Sequence, residues 1–316
     1  MFFCIHFFGH TQSKKNIPLP FLLISTQAGP AGTGDATCNS ITSAFPIGIP
    51  ADFAFSNKKL TSGLSILPWR RNLSDDMNFM SLSTFVKLNA LESLAANIRY
   101  FTEGTNDFTN EFGEMSFSYK PKDLAIELSY IKKLGQDFSM STSIKYIHSE
   151  IPAAEFFDGE IIRGNAVAAD LGASYKKKLS YSKQIFASIS LANLGPKIRY
   201  QQNAYILPSY GSLTVSYSHM TSEMLELTYA SAIRRHLGPA DSKYKFSAGI
   251  EANLGKSVSF RSGYMISKSQ PESGNYISFG AGIKYFGIAF EISYWNATTH
   301  FSPFDNTFRY GLSYSI

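Results

Sequence analysis

Apolar and polar residues alternate one by one along most of this chain. In 244–254, Tyr244, Phe246, Ala248, Ile250, Ala252 and Leu254 face one way, and Lys245, Ser247, Gly249, Glu251 and Asn253 face the other. In 308–316, Phe308, Tyr310, Leu312, Tyr314 and Ile316 oppose Arg309, Gly311, Ser313 and Ser315. A period of two is the signature of a strand with one apolar and one polar side. Fifteen such runs occur: 60–67, 78–88, 91–101, 113–119, 123–131, 138–149, 165–177, 184–192, 211–220, 223–233, 243–254, 257–267, 275–285, 287–296 and 307–316. Helical spacing is never sustained over a comparable window.

The connections decide how many runs belong to one wall. Outer-membrane barrels have an even number of strands and alternate short turns with long loops. Placing 113–119 in a loop restores that alternation throughout. Long loops then cover 68–77, 102–122, 150–164, 193–210, 234–242, 268–274 and 297–306. The expectation is an all-β transmembrane antiparallel β-barrel of 14 strands over 60–316. Residues 1–17 read as a leader remnant or disordered N-terminus. Residues 18–59, rich in Gly, Pro and small polar residues, read as a plug segment on the periplasmic side or inside the lumen.

A soluble β-sandwich also alternates, but its polar face is usually rich in Lys, Glu and Thr. Here that face carries Gly and Ser with isolated charges: Arg99, Glu127, Lys145, Asp170, Glu226, Glu251, Arg261, Lys284, Glu291 and Arg309. Small residues and mixed signs suit an enclosed lumen, where opposite charges neutralise one another and hold a plug. The inward residues are too polar for a continuous apolar tunnel.

Composition narrows the function. Aromatics make up 15% of the 316 residues and charged residues only 17%, below the usual quarter, as a large lipid-facing surface requires. No window of eighteen apolar residues exists, so no helix is expected to span a bilayer. Cys4 and Cys38 make neither a disulfide framework nor a metal cluster, and no cofactor is expected. The net charge is +5 with the cations scattered, so no nucleic-acid footprint is present.

Several segments, in order, carry a family resemblance: "PFLLISTQAGPAGTGDA" (20–36), "LSILPWRRNLSDDMN" (64–78), "ANIRYFTEG" (96–104), "YKPKDLAIELSYIKKL" (119–134), "LANLGPKIRY" (191–200) and "ILPSYGSLTVSYS" (206–218). Together they resemble PorV, the outer-membrane barrel of the type IX secretion system of Bacteroidota, within the FadL-like superfamily. The related PorQ shares the barrel. The resemblance implies a cell-surface-facing protein-transport component without catalysis. It implies binding of the C-terminal signal domain of secreted cargo, contact with the translocon, and handover to a PorU-like attachment enzyme beside lipid and lipopolysaccharide. The end of the chain, with Gly311, Tyr314 and Ile316 after Arg309, resembles the insertion signal of bacterial outer-membrane proteins.

Candidate partner-binding residues lie on the long loops: Trp69, Arg70 and Arg71 with Asp75 and Asp76, then Phe108 and Phe112, then Phe156 and Phe157. Trp and Arg are favoured anchors at interfaces, and large exposed apolar groups call for a covering partner. Against this stands an interfacial Trp with solvated loop charges. A FadL-like transporter of hydrophobic molecules is the alternative function. A rim enzyme would need His236 and His300 beside Asp241 and Asp305, but nothing in the sequence brings those loops together. His148 and His219 fall on outward faces. "GPAGTG" (29–34) has neither phosphate-loop spacing and reads as a turn in the plug.

Overall fold

A computed structural model describes residues 19–36, 48–69, 76–109, 112, 114–152, 161–238, 244–267, 274–298 and 305–316. In chain order the strands are β1 (Leu60–Pro68), β2 (Asn78–Lys87), β3 (Glu92–Thr102), β4 (Asn106–Thr109), β5 (Met115–Tyr119), β6 (Lys122–Leu134), β7 (Phe138–Pro152), β8 (Ile161–Ser180), β9 (Lys183–Leu194), β10 (Ile198–Tyr200), β11 (Asn203–Tyr205), β12 (Tyr210–Ser222), β13 (Leu225–His236), β14 (Tyr244–Leu254), β15 (Val258–Ser267), β16 (Tyr276–Tyr285), β17 (Ile288–Ala297) and β18 (Thr307–Ser315).

Fourteen of these close into one antiparallel ring. Neighbours in sequence pair all the way round, β8 pairs with β9, and the seam is β1 against β18, from Thr61↔Ser315 to Ile66↔Tyr310. The seam's last rungs are Ile316 N–H to Leu60 O at 2.9 Å and Lys59 N–H to Ile316 O at 2.7 Å. No wall strand is left as an edge, which a strand wall in hydrocarbon requires. The run at 113–119 does lie outside the wall: β5 pairs with β4 as a separate loop hairpin. A second hairpin, β10–β11, covers the upper part of β8 through Arg199↔Asn165 and Tyr200↔Gly164, where β9 has ended.

The alternation seen in sequence becomes inside and outside. Leu82, Leu128, Leu171, Ile189, Phe260, Phe279 and Leu312 are exposed on the outer surface, while the intervening Ser, Thr and charged residues are buried. The apolar side faces out, as a lipid-facing wall needs, and the Phe and Tyr rings do not meet in a dry centre. Among the described residues no helix is long and apolar enough to cross a membrane; the strands do so.

The lumen is occupied by the N-terminal plug. It holds a 3₁₀ turn at Pro20–Leu22, a one-turn helix α1 (Ala28–Gly32) and a 3₁₀ turn at Pro50–Phe55. Pro20 and Pro50 each open a turn, where a missing N–H costs nothing. Leu19, Phe21 and Leu22 pack with Leu67, Phe79 and Phe101 at the long-loop end. Ala54 and Phe53 pack with Phe85, Ala95 and Ile131 at the short-turn end. The described parts of the plug therefore reach both ends of the barrel.

Candidate functional site: the filled lumen and the long-loop end

The lumen charges separate into groups with different work. Lys145 lies 3.4 Å from Glu127 and 2.8 Å from Asp170, and its ammonium also donates to Asn193 Oδ1 at 2.9 Å. Arg261 pairs with Glu251 at 2.5 Å and with Glu291 at 3.0 Å. Each cation is shared by two carboxylates on other strands, so these clusters tie wall to wall. Buried charges require such pairing. These two clusters join wall strands, while Arg309, another of the inward charges expected from sequence, reaches the plug.

The plug is held by two seats. In the first, the Trp295 indole N–H donates to Ala31 O at 2.7 Å, and Ser278 Oγ donates to Gly32 O at 3.0 Å. Trp295 is stacked between Tyr276, at 3.9 Å between centroids, and the Arg309 guanidinium, 3.3 Å from the ring centre. Arg309 Nε donates to Ser25 O at 3.0 Å, and Tyr276 O–H donates to Asp35 Oδ2 at 3.1 Å. The backbone of 32–34 then presses on inward glycines of three adjacent strands. A methyl group at Gly249 would come within 2.5 Å of Thr33 O, and one at Gly280 within 3.0 Å of Gly32 Cα. Only hydrogen side chains allow that approach.

In the second seat, Ser174 and Ser188 donate to Asp52 Oδ1 at 2.5 and 2.7 Å, and Ser139 donates to Ala51 O at 2.8 Å. Burial pushes the Asp52 carboxyl up from its ordinary 3.8 to about 6, against the opposing pull of the two hydroxyls. Phe55 packs edge-on against Phe186, 5.9 Å between centroids. Arg99 is buried, with its guanidinium 5.9 Å from the Phe21 ring.

At the long-loop end the residues proposed from sequence divide. Trp69 is 5% exposed and packs in the apolar cluster with Phe79 and Phe101, so it is not an exposed anchor. The reason was readable: Thr61, Ser65 and Leu67 face inward, and the same parity carries position 69 inward. Asp76 is a knot between two loops. It accepts from Thr105 N–H at 2.9 Å and Thr105 Oγ1 at 2.6 Å, and lies 3.4 Å from Lys120. Phe112 is 80% exposed. Phe108 pairs with Phe117 along the β4–β5 hairpin. Arg70, Arg71, Asp75, Phe156 and Phe157 lie outside the described residues, as do His300 and Asp241. His236 is buried, and Asp305 accepts from Ala297 N–H. His148 and His219 do sit on outward faces, the latter stacked 6.1 Å from Tyr229.

Sequence reasoning missed a polar cluster at this end. Glu150 accepts from Tyr119 O–H at 2.7 Å and pairs with Arg163 at 3.2 Å and Lys122 at 3.3 Å. Tyr119 and Lys122 are near in sequence, but Glu150 and Arg163 come from β7 and β8, so no local pattern announces it.

Several solved barrels share this architecture. The CymD monoaromatic hydrocarbon channel aligns over 95% of this chain and 99% of its own, at 12% identity and a TM-score of 0.58. The toluene transporter TodX of Pseudomonas putida covers 91% of this chain and 97% of its own, at 10% identity and a TM-score of 0.58. A Pseudomonas aeruginosa FadL homologue matches at a TM-score of 0.46 and 11% identity, too distant to argue from. At these identities the likeness is one of fold. No curated protein matches the chain in sequence. The family described as type IX secretion system protein PorV matches residues 10–242, well over half the chain. With its closed barrel, outward apolar wall and filled lumen, the chain belongs to the PorV family, an outer-membrane β-barrel of the type IX secretion system.

Proposed function

We propose that this barrel carries secreted cargo at the cell surface: its external loops bind the C-terminal signal domain of a cargo protein and pass it from the translocon to a PorU-like attachment enzyme. Family membership over residues 10–242 carries the reading. The filled lumen supports it, because the plug contacts wall strands on both sides of the ring and leaves the long-loop end as the surface for a folded partner. Phe112 and the loops knotted by Asp76 belong to that surface. The loop residues Arg70, Arg71, Asp75, Phe108, Phe156 and Phe157 are proposed contacts on the same ground as before, their residue types and their place in the chain. Gly311, Tyr314 and Ile316 are proposed as the insertion signal.

The channels that share the fold conduct small hydrophobic molecules, as their names state. Here the apolar part of the lumen is filled by the plug's own Leu19, Phe21 and Leu22, which favours a carrier of protein over a conduit. The test is a pull-down of a purified cargo signal domain with the detergent-solubilised barrel. Trimming the external loops is expected to abolish capture, and undiminished capture after trimming would refute loop docking.

A further inference from the structure

The short-turn end of the lumen carries a charge arrangement that cargo docking at the opposite end does not use. Strand parity turns Lys87, Lys133, Lys176, Lys178 and Lys284 inward, each continuing a row of buried residues: Phe85, Ile131, Ser174 and Ser278. Lys58, just before β1, lies beside Lys284, and the two repel. Lys176 is likewise repelled by Lys178 and Lys133. The arc from Lys87 on β2 to Lys178 on β8 spans five of the fourteen strands, or about 20 Å of wall at about 4.8 Å per strand.

Glu226 offsets Lys176 from the far side, and the plug carboxylate at this end, Asp52, is taken up by Ser174 and Ser188. Among the described residues, Lys87, Lys133, Lys176 and Lys178 form no ion pair, whereas Lys120, Lys122 and Arg163 at the long-loop end each have a carboxylate within 4 Å. The plug residues 37–47 contain no Asp or Glu, so among the described residues these four cations are left without a paired carboxylate. Like charges gathered around one opening raise each other's energy and focus a positive potential there. The Phe55 ring lies between two of the cations, 5.6 Å from Lys133 Nζ and 6.0 Å from Lys176 Nζ.

We propose that the periplasmic opening of this barrel is a docking site for an acidic polypeptide segment, its carboxylates meeting the inward lysine arc and an apolar side chain meeting Phe55. Lipid headgroups do not fit, because these side chains point into the ring and not toward the bilayer. A single small anion does not fit either, because the arc is far wider than one phosphate.

The test uses the full-length barrel in zwitterionic nanodiscs and a fluorescein-labelled decaglutamate peptide carrying one phenylalanine, read by anisotropy. Lys133→Gln/Lys176→Gln/Lys178→Gln is expected to weaken binding about tenfold or more, and raising the salt to weaken the parent strongly. The outward set Lys132→Gln/Lys177→Gln/Lys183→Gln is expected to change it less than about twofold. Heat-modifiable gel mobility checks that each variant is folded. An equal loss from the outward set would make this a bilayer-surface charge and overturn the proposal. So would competition by pyrophosphate at matched charge, or no peptide binding by the parent. Cargo capture at the external loops is expected to be unchanged in the inward variant, so failure here and failure of the cargo reading are separable.

Discussion

Between Ala28 and Asp35 the plug meets the wall with its backbone, while between Ile49 and Phe55 it meets the wall with a buried carboxylate and an aromatic ring. The first seat is a matter of shape. Gly249, Gly263 and Gly280 make a flat place, and Trp295, locked between Tyr276 and Arg309, supplies a donor to Ala31 O. The second depends on protonation. Asp52 has two serine donors but is buried. One segment is thus anchored twice, once by a fit indifferent to pH and once by a group that titrates near neutrality.

That contrast can be broken at several points. Trp295→Ala should have the largest effect. It removes a buried indole, the donor to Ala31 O and the stacking partner of Arg309, at a cost of about 3–5 kcal/mol. Amide exchange in 28–36 should rise sharply while that in 53–56 changes little. Equal loosening of both stretches would mean that the seats act as one.

Asp52→Asn comes next and tests the second seat. The docked pKa of about 6 lies above the ordinary 3.8, so the docked plug holds its proton more tightly than a free one. Docking is therefore strongest below about pH 4 and is lost progressively as pH rises through 6, by up to about 3 kcal/mol. Above that the loss is constant. Exchange at 50–56 in the parent should follow this curve, and the variant should be flat.

Gly249→Val tests the shape seat directly. A branched side chain against Thr33 should cost about 1–3 kcal/mol and release 31–34 at every pH. Asp76→Ala should do least. It unties Thr105 from the neighbouring loop at a cost of about 1 kcal/mol, seen as faster exchange of the Thr105 amide with both plug seats unaffected.

The wall was legible because each strand states its own two faces. The rule needs only neighbours in sequence, and loop parity then sent 113–119 out of the wall, where β5 lies. The plug was legible as a segment but not as a fit. Its contacts join residues such as Ala31 and Trp295, 264 positions apart, and no local periodicity records them. The glycines on the polar faces were visible, yet their purpose emerges only when the register sets Gly249 opposite Gly263. Trp69 shows the reverse case: the parity of β1 was available, and the habit of treating a loop tryptophan as an anchor outweighed it.

The plug also shapes what surrounds it. Phe21 packs with Phe79 and Phe101 near one end of the cylinder, and Phe53 with Phe85 near the other. These rings fill bore that the staves would otherwise leave hollow. The inner segment serves as a former that braces the staves from within.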